Sequence, residues 1–137
     1  MANSKSIGVA FEDQNIIGAD NISSSAVLGY TAAAQGTVTQ ATSKSTAVTL
    51  NKSVGQITMN GASLATATNA TFTLNNSYLS SNDTLIVTIA GGQATAGSYN
   101  CWANGLSAGS ASITLRNISG GTLSEAVVIN FAIIHCA

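Results

Sequence analysis

The chain has 137 residues, 7% of them charged, with 45% apolar side chains and a formal net charge of -1. That is the length of one domain, able to bury roughly two thirds of its unfolded surface, yet it carries far less charge than the about 25% of an ordinary soluble domain. Lys5, Lys44, Lys52 and Arg116 are scattered and aromatic residues make up 5%, which excludes a basic stripe or a base-stacking platform for nucleic acid.

Along the chain, residues 1–35 stand apart as an N-terminal arm. Short apolar pieces (Ile7, Val9, Phe11; Ile16, Ile17; Val27, Leu28, Tyr30) alternate there with polar and small residues, and three of the five acidic residues lie among them. The segment is too apolar for a disordered tail and too broken for a core layer. An arm that packs on another subunit has both properties, and an edge strand with a linker is the plain alternative. The opening "MANSKSIGVAFED" lacks a basic region followed by an apolar run, so no secretory signal is expected.

Residues 36–137 contain no proline and show no sustained helical spacing. Period-two alternation recurs instead. It runs through "STAVTLNK", "GQITMNG", "ATFTLNN", "DTLIVTIAGG", "GSYNCWANG", "SASITLRN" and "EAVVINFAII". Asn60-Gly61, Gly91-Gly92, Asn104-Gly105 and Gly120-Gly121 read as the turns between them. "NNSYLSSND" reads as a helical turn closed by Asn82 and Asp83. Seven or eight strands predict an all-β fold, an antiparallel β-sandwich or barrel.

The longest apolar run, "AVVINFAII", falls well short of the ~20 residues of a spanning helix, so no membrane is expected. It predicts a strand in the middle of a sheet, buried on both faces. Val127, Ile129, Phe131 and Ile133 would face one side, and Val128, Ala132 and Ile134 the other. Asn130 interrupts the second set and needs a hydrogen-bond partner.

Candidate chemistry is sparse. His135 and Cys136 are adjacent, so on a strand they point to opposite faces and cannot pair as base and nucleophile. His135 meeting Cys101, with Asp83 or Glu125 as orienter, is the remaining nucleophile arrangement, and no pocket or oxyanion signature accompanies it. One His and two Cys build no zinc site within the chain without a carboxylate, and an intersubunit metal on a symmetry axis would need only one His per chain. The spacing of Glu12, Asp13 and Asp20 fits no calcium loop, and no phosphate-binding glycine pattern occurs. Two free, buried thiols are expected in a reducing compartment. Asn69-Ala70-Thr71 and Asn117-Ile118-Ser119 are chance triplets in an Asn-, Ser- and Thr-rich chain. Trp102 and Tyr99 suggest a sugar-binding platform, but their odd spacing sends them to opposite faces, with at least one in the core. No catalytic residue, metal or cofactor is expected, and the chain reads as a non-enzyme.

"TSKSTAVTLNKSVGQITM", "TFTLNNSYLSSNDTLIVT" and "ITLRNISGGTLSEAVVINFAI" resemble small structural proteins of tailed bacteriophages and prophages, of the head-decoration or tail-fibre-like kind, over about residues 36–134. "GVAFEDQNIIGA" is similar to the leader of such virion components. The resemblance implies a β-sandwich or jelly-roll decoration (cement) protein. It implies a homotrimer on the capsid exterior, assembled in the bacterial cytoplasm and clamping the major capsid protein. The short chain without a shaft repeat favours that reading over a tail-fibre tip or baseplate-associated host-binding module. On it, Ile7, Val9, Phe11, Ile16, Ile17, Val27, Leu28 and Tyr30 are expected to contact the capsid. Val127, Ile129, Phe131 and Ile133 are expected at the subunit interface.

Overall fold

Eight strands form two four-stranded sheets in a computed structural model that describes residues 20, 21, 23 and 25–136. They are β1 (Gln35–Thr39), β2 (Val48–Thr49), β3 (Val54–Thr58), β4 (Asn69–Asn75), β5 (Thr84–Gly91), β6 (Tyr99–Ser107), β7 (Ser110–Asn117) and β8 (Val128–Ile134). Sheet A runs β1-β3-β8-β5 and sheet B runs β2-β4-β7-β6. A single 3-10 turn, Ala32–Ala34, leads into β1.

Alternation makes each sheet two-faced. β4 buries Ala70, Phe72 and Leu74 and turns Asn69, Thr71 and Asn75 outward. On β7 the inward set is Ala111, Ile113 and Leu115, and on β8 it is Ile129, Phe131 and Ile133. These residues from both sheets join Ile57, Met59 and Val127 in one core between the layers. The class is all-β, as the period-two pattern predicts.

The sheets are mixed, which corrects the expectation of an antiparallel sandwich. β1 pairs with β3 in parallel, and β2 with β4 in parallel, while the other neighbours are antiparallel. The physical reason lies in the connections. After β1 the chain crosses to sheet B for β2 and returns for β3, so β1 and β3 enter the same sheet in the same direction. Period-two patterning reports which face is buried, not strand direction.

Gly55 makes the core close at this edge. A Cβ on it would lie 2.6 Å from Leu50 Cδ2 and 2.7 Å from Phe131 Cε1. Leu50, just past β2, fills the space that Gly55 leaves beside Phe131.

Three local expectations change. "NNSYLSSND" forms turns rather than a helical turn, because Asn76 and Asp83 bind the backbone themselves. Asn76 Oδ1 accepts the Tyr78 N–H at 3.0 Å, and Asp83 Oδ2 accepts the Ser80 N–H at 2.8 Å. Asn104-Gly105 does not end its strand: Gly105 (φ 56°) sits in a register shift inside β6, and the turn comes at Gly109 (φ 81°). β8 is central in sheet A, as expected, but among the described residues its second face is only partly covered. Val128 and Ala132 are half-buried, and Asn130 and Ile134 are exposed.

Candidate functional site

Trp102, the only tryptophan of the chain, stands on the outer face of sheet B. Tyr99, Cys101 and Ala103 take the inward positions of β6, and Tyr99 is buried in the core. Trp102 is half-buried and is not among the side chains packed against the core. Cross-strand pairing sets its neighbours. Thr71, Thr114 and Trp102 form one row; Asn69, Arg116 and Asn100 form the row on one side; Thr73, Ser112 and Asn104 form the row on the other. Thr71 and Thr114 share a hydroxyl hydrogen bond of 2.8 Å, and Arg116 Nη1 reaches Asn69 Oδ1 at 3.4 Å. The result is one indole among amide, hydroxyl and guanidinium groups.

The outer face of sheet A is different in kind. Its rows are Gln35–Val54–Ala132–Ile86 and Thr37–Gln56–Asn130–Thr88, followed toward one end by Thr39, Thr58 and Val128. None of these side chains is charged. Gln56 Nε2 donates to Asn130 Oδ1 at 3.1 Å, which supplies the partner that Asn130 needs. Ile86 and Ile134 are 45% and 51% exposed. A shallow groove of about 470 Å³ crosses β1, β3 and β8 there, with Gln35, Val54, Gln56 and Asn130 on its walls. The Tyr30 hydroxyl donates to the Ile133 carbonyl, clipping the incoming chain to β8.

The titratable groups do structural work. His135 Nδ1 lies 3.0 Å from Asp83 Oδ2, and Asp83 Oδ1 accepts from the Ser80 hydroxyl at 2.8 Å and the Cys136 N–H at 3.3 Å. The Ser80 backbone N–H, more than any other partner, holds the Asp83 carboxyl down to about 2 against the opposing effect of burial. At the other end of the sandwich Lys44 is buried, and its Nζ donates to the carbonyls of Asn60 at 2.7 Å and Glu125 at 2.5 Å. Burial lowers the Lys44 pKa, and the nearby Glu125 charge opposes that shift. Tyr99 is pushed up to about 12, first by burial and then by Glu125. Its hydroxyl and Glu125 Oε2 nonetheless form no hydrogen bond of good geometry.

The residues singled out from sequence are dispersed. Ile7, Val9, Phe11, Ile16 and Ile17 lie outside the described residues. Val27 and Leu28 are 85% and 80% exposed, and Tyr30 is tied to β8. Val127, Ile129, Phe131 and Ile133, expected at a subunit interface, are a correction: all four are buried inside the sandwich, in the chain's own core. Their spacing marks a buried face, and sequence alone cannot say whether the chain's own second sheet or another subunit buries it. His135 pairs with Asp83 rather than with Cys101. Both cysteines are free, Cys101 half-buried and Cys136 exposed, so the expectation of two buried thiols fails for Cys136. Burial raises the Cys101 thiol's pKa, which is the wrong direction for a nucleophile. Sequence reasoning missed the buried Lys44 altogether, because nothing around "TSKST" marks it as different from a surface lysine.

Compared with protein-family models, curated proteins and solved structures, the chain matches none.

Proposed function

We propose that the chain is a capsid decoration (cement) protein of a tailed bacteriophage, a non-catalytic subunit of jelly-roll kinship. It associates with itself, as a homotrimer, through the outer face of sheet A. Its N-terminal arm, leaving that face at Tyr30, grips the major capsid protein on the virion exterior. The observation that carries this reading is the uncharged outer face of sheet A, where Val54, Ala132 and Ile86 form an apolar row across three strands. A free surface of that kind is a liability for a monomer and an asset for a subunit with neighbours. Many weak contacts then act together, so avidity replaces any single strong site.

The test is light scattering on the purified protein, followed by cosedimentation with undecorated capsids. The expected result is a trimer that pellets with shells. Ile86→Lys places a charge in the row; it should yield a folded monomer that no longer pellets. A wild-type monomer, or an Ile86→Lys variant that still trimerises, overturns the assignment of the interface. A second reading, a tail-fibre tip or baseplate-associated host-binding module, is favoured by Trp102 on the outer face of sheet B.

A further inference from the structure

We infer that the outer face of sheet B is a saccharide-binding platform centred on Trp102. The inference rests on sheet B alone and does not depend on how sheet A is used.

An indole is large, flat and amphipathic, and a half-buried one turned away from the core onto the outer face of a sheet keeps part of its apolar surface available to a ligand. In this chain the alternation of β6 leaves Tyr99 in the core and sends Trp102 out. The core is complete without it, since Trp102 is not part of the packed cluster. What surrounds the indole narrows the ligand. The flanking rows supply the amides of Asn100 and Asn104 and the hydroxyl of Ser112, with Arg116 the sole charged group. Amides and hydroxyls both donate and accept, which matches a ring of vicinal hydroxyls. The C–H face of a pyranose is apolar and stacks on the indole while its hydroxyls reach the polar rows. A peptide or a second sheet would instead need an apolar surround or a matching charge pattern, and nucleic acid would need more than one cation.

Arg116 refines the class. Its guanidinium, anchored by Asn69, presents further N–H donors beside Asn100. A carboxylate on the sugar would be taken there by charge-assisted hydrogen bonds. The platform therefore accepts neutral pyranoses and favours acidic ones. It is a sheet face with a single aromatic side chain, so single-sugar affinity should be millimolar, with useful strength reached only by multivalent display.

The experiment uses the full chain and a panel of free sugars: glucose, galactose, N-acetylglucosamine, glucuronic acid and N-acetylneuraminic acid. Because the chain has one tryptophan, the emission of Trp102 reports binding directly, and saturation-transfer NMR repeats the measurement without relying on that signal. At least one sugar should give a saturable response, with the acidic sugars tighter. Trp102→Ala should keep its fold by circular dichroism and its oligomeric mass, yet bind at least about tenfold more weakly by NMR. Arg116→Gln should lose only the preference for the acidic sugars. Tyr78→Ala, which removes an exposed aromatic residue outside sheet B, should bind as the native protein does. No saturable response to any sugar overturns the proposal. So does Trp102→Ala binding like the native chain, or a Trp102→Ala variant whose oligomer falls apart, which would make the face a subunit interface. Failure here leaves the capsid cosedimentation result standing, and the reverse also holds.

Discussion

His135 and Asp83 face each other one residue beyond the β5–β8 ladder, whose last pair is Thr84 with Ile134. Asp83 has a side chain only 1% exposed, while that of His135 is 55% exposed. The carboxylate is therefore the fixed member, gripped by Ser80 and Cys136, and the imidazole is the one that comes to it. The Asp83 carboxyl is held down to about 2, chiefly by the Ser80 N–H. A carboxyl depressed on folding gives stability that is fully present above the unfolded value near 4 and is lost as pH falls through the folded one. Urea midpoints should hold down to about pH 4 and then decline toward pH 2. Asp83→Asn should lower the plateau and flatten that decline. If the native protein and the variant share the same acid slope, Asp83 is not the group responsible.

Lys44 is expected to matter more than any other charged residue. Its ammonium caps the carbonyls of Asn60 and Glu125, and Gln40 secures the loop around it by donating to Lys44 O at 3.1 Å and Thr46 O at 2.8 Å. Lys44→Met keeps the aliphatic stem and leaves both carbonyls without that donor. Each lost charge-assisted bond is worth about 1.5–3 kcal/mol, and partial access to water for the freed carbonyls reduces the sum, so a loss of about 2–4 kcal/mol is expected. Equilibrium unfolding of the variant measures it. A loss below about 1 kcal/mol would mean that the loops close equally well without the ammonium.

Two backbone positions predict changes of opposite sign. Gly92 has φ +81°, and a Cβ there would lie 2.1 Å from the Ala126 carbonyl oxygen. Gly92→Ala combines the left-handed penalty of about 1–2 kcal/mol with a forced shift of the segment leading into β8, for a total of about 3 kcal/mol. Ala67 adopts φ 56° with its Cβ in place. Ala67→Gly removes the same penalty but gives freedom back to the unfolded chain, leaving a net gain of about 0.5 kcal/mol. Thermal midpoints should move down by about 10 °C for the first and up by about 1–3 °C for the second. A rise on Gly92→Ala would show that the backbone there relaxes freely.

What the sequence made legible follows from what alternation encodes. Ile57, Phe72, Leu74, Ile113, Leu115 and Ile129 were readable as one-sided strand residues because burial repeats every second position. The partner across each face was not readable. Nothing local in "GTVTQ" says that β1 will lie parallel to β3, and nothing in "AVVINFAII" distinguishes a neighbour's surface from the chain's own second sheet. The same limit applied at the candidate site. The spacing of Tyr99 and Trp102 fixed that they diverge, but only the pairing of β6 with β7 placed Thr114 and Arg116 around the indole. Asp83 was legible as a turn residue, whereas its contact with His135 depended on the β5–β8 register.

Asn117 carries the last prediction. It is fully buried at the end of β7, and its side chain uses both ends. Nδ2 donates to Leu64 O at 2.9 Å and Gly121 O at 2.8 Å, while Oδ1 accepts the Ser119 N–H at 2.9 Å and the Ser119 hydroxyl at 2.7 Å. Leu64 in turn pairs with Leu123 through an isolated bridge, so one amide helps tie two loop segments, the one around Leu64 and the one that follows β7. Asn117→Ala removes four hydrogen bonds and leaves two carbonyls with fewer donors in a buried setting, for a loss of about 3–4 kcal/mol. Asn117→Asp keeps the acceptors but loses the donors, and burying a carboxylate against two carbonyls should be at least as harmful. Ser119→Ala should lose only about 1 kcal/mol, and less in the Asn117→Ala background, because the hydroxyl then keeps only the Gly121 carbonyl, at 3.0 Å, as acceptor. A double-mutant cycle by urea unfolding measures that coupling. Strictly additive losses would show that Asn117 and Ser119 hold the loop independently and share no network.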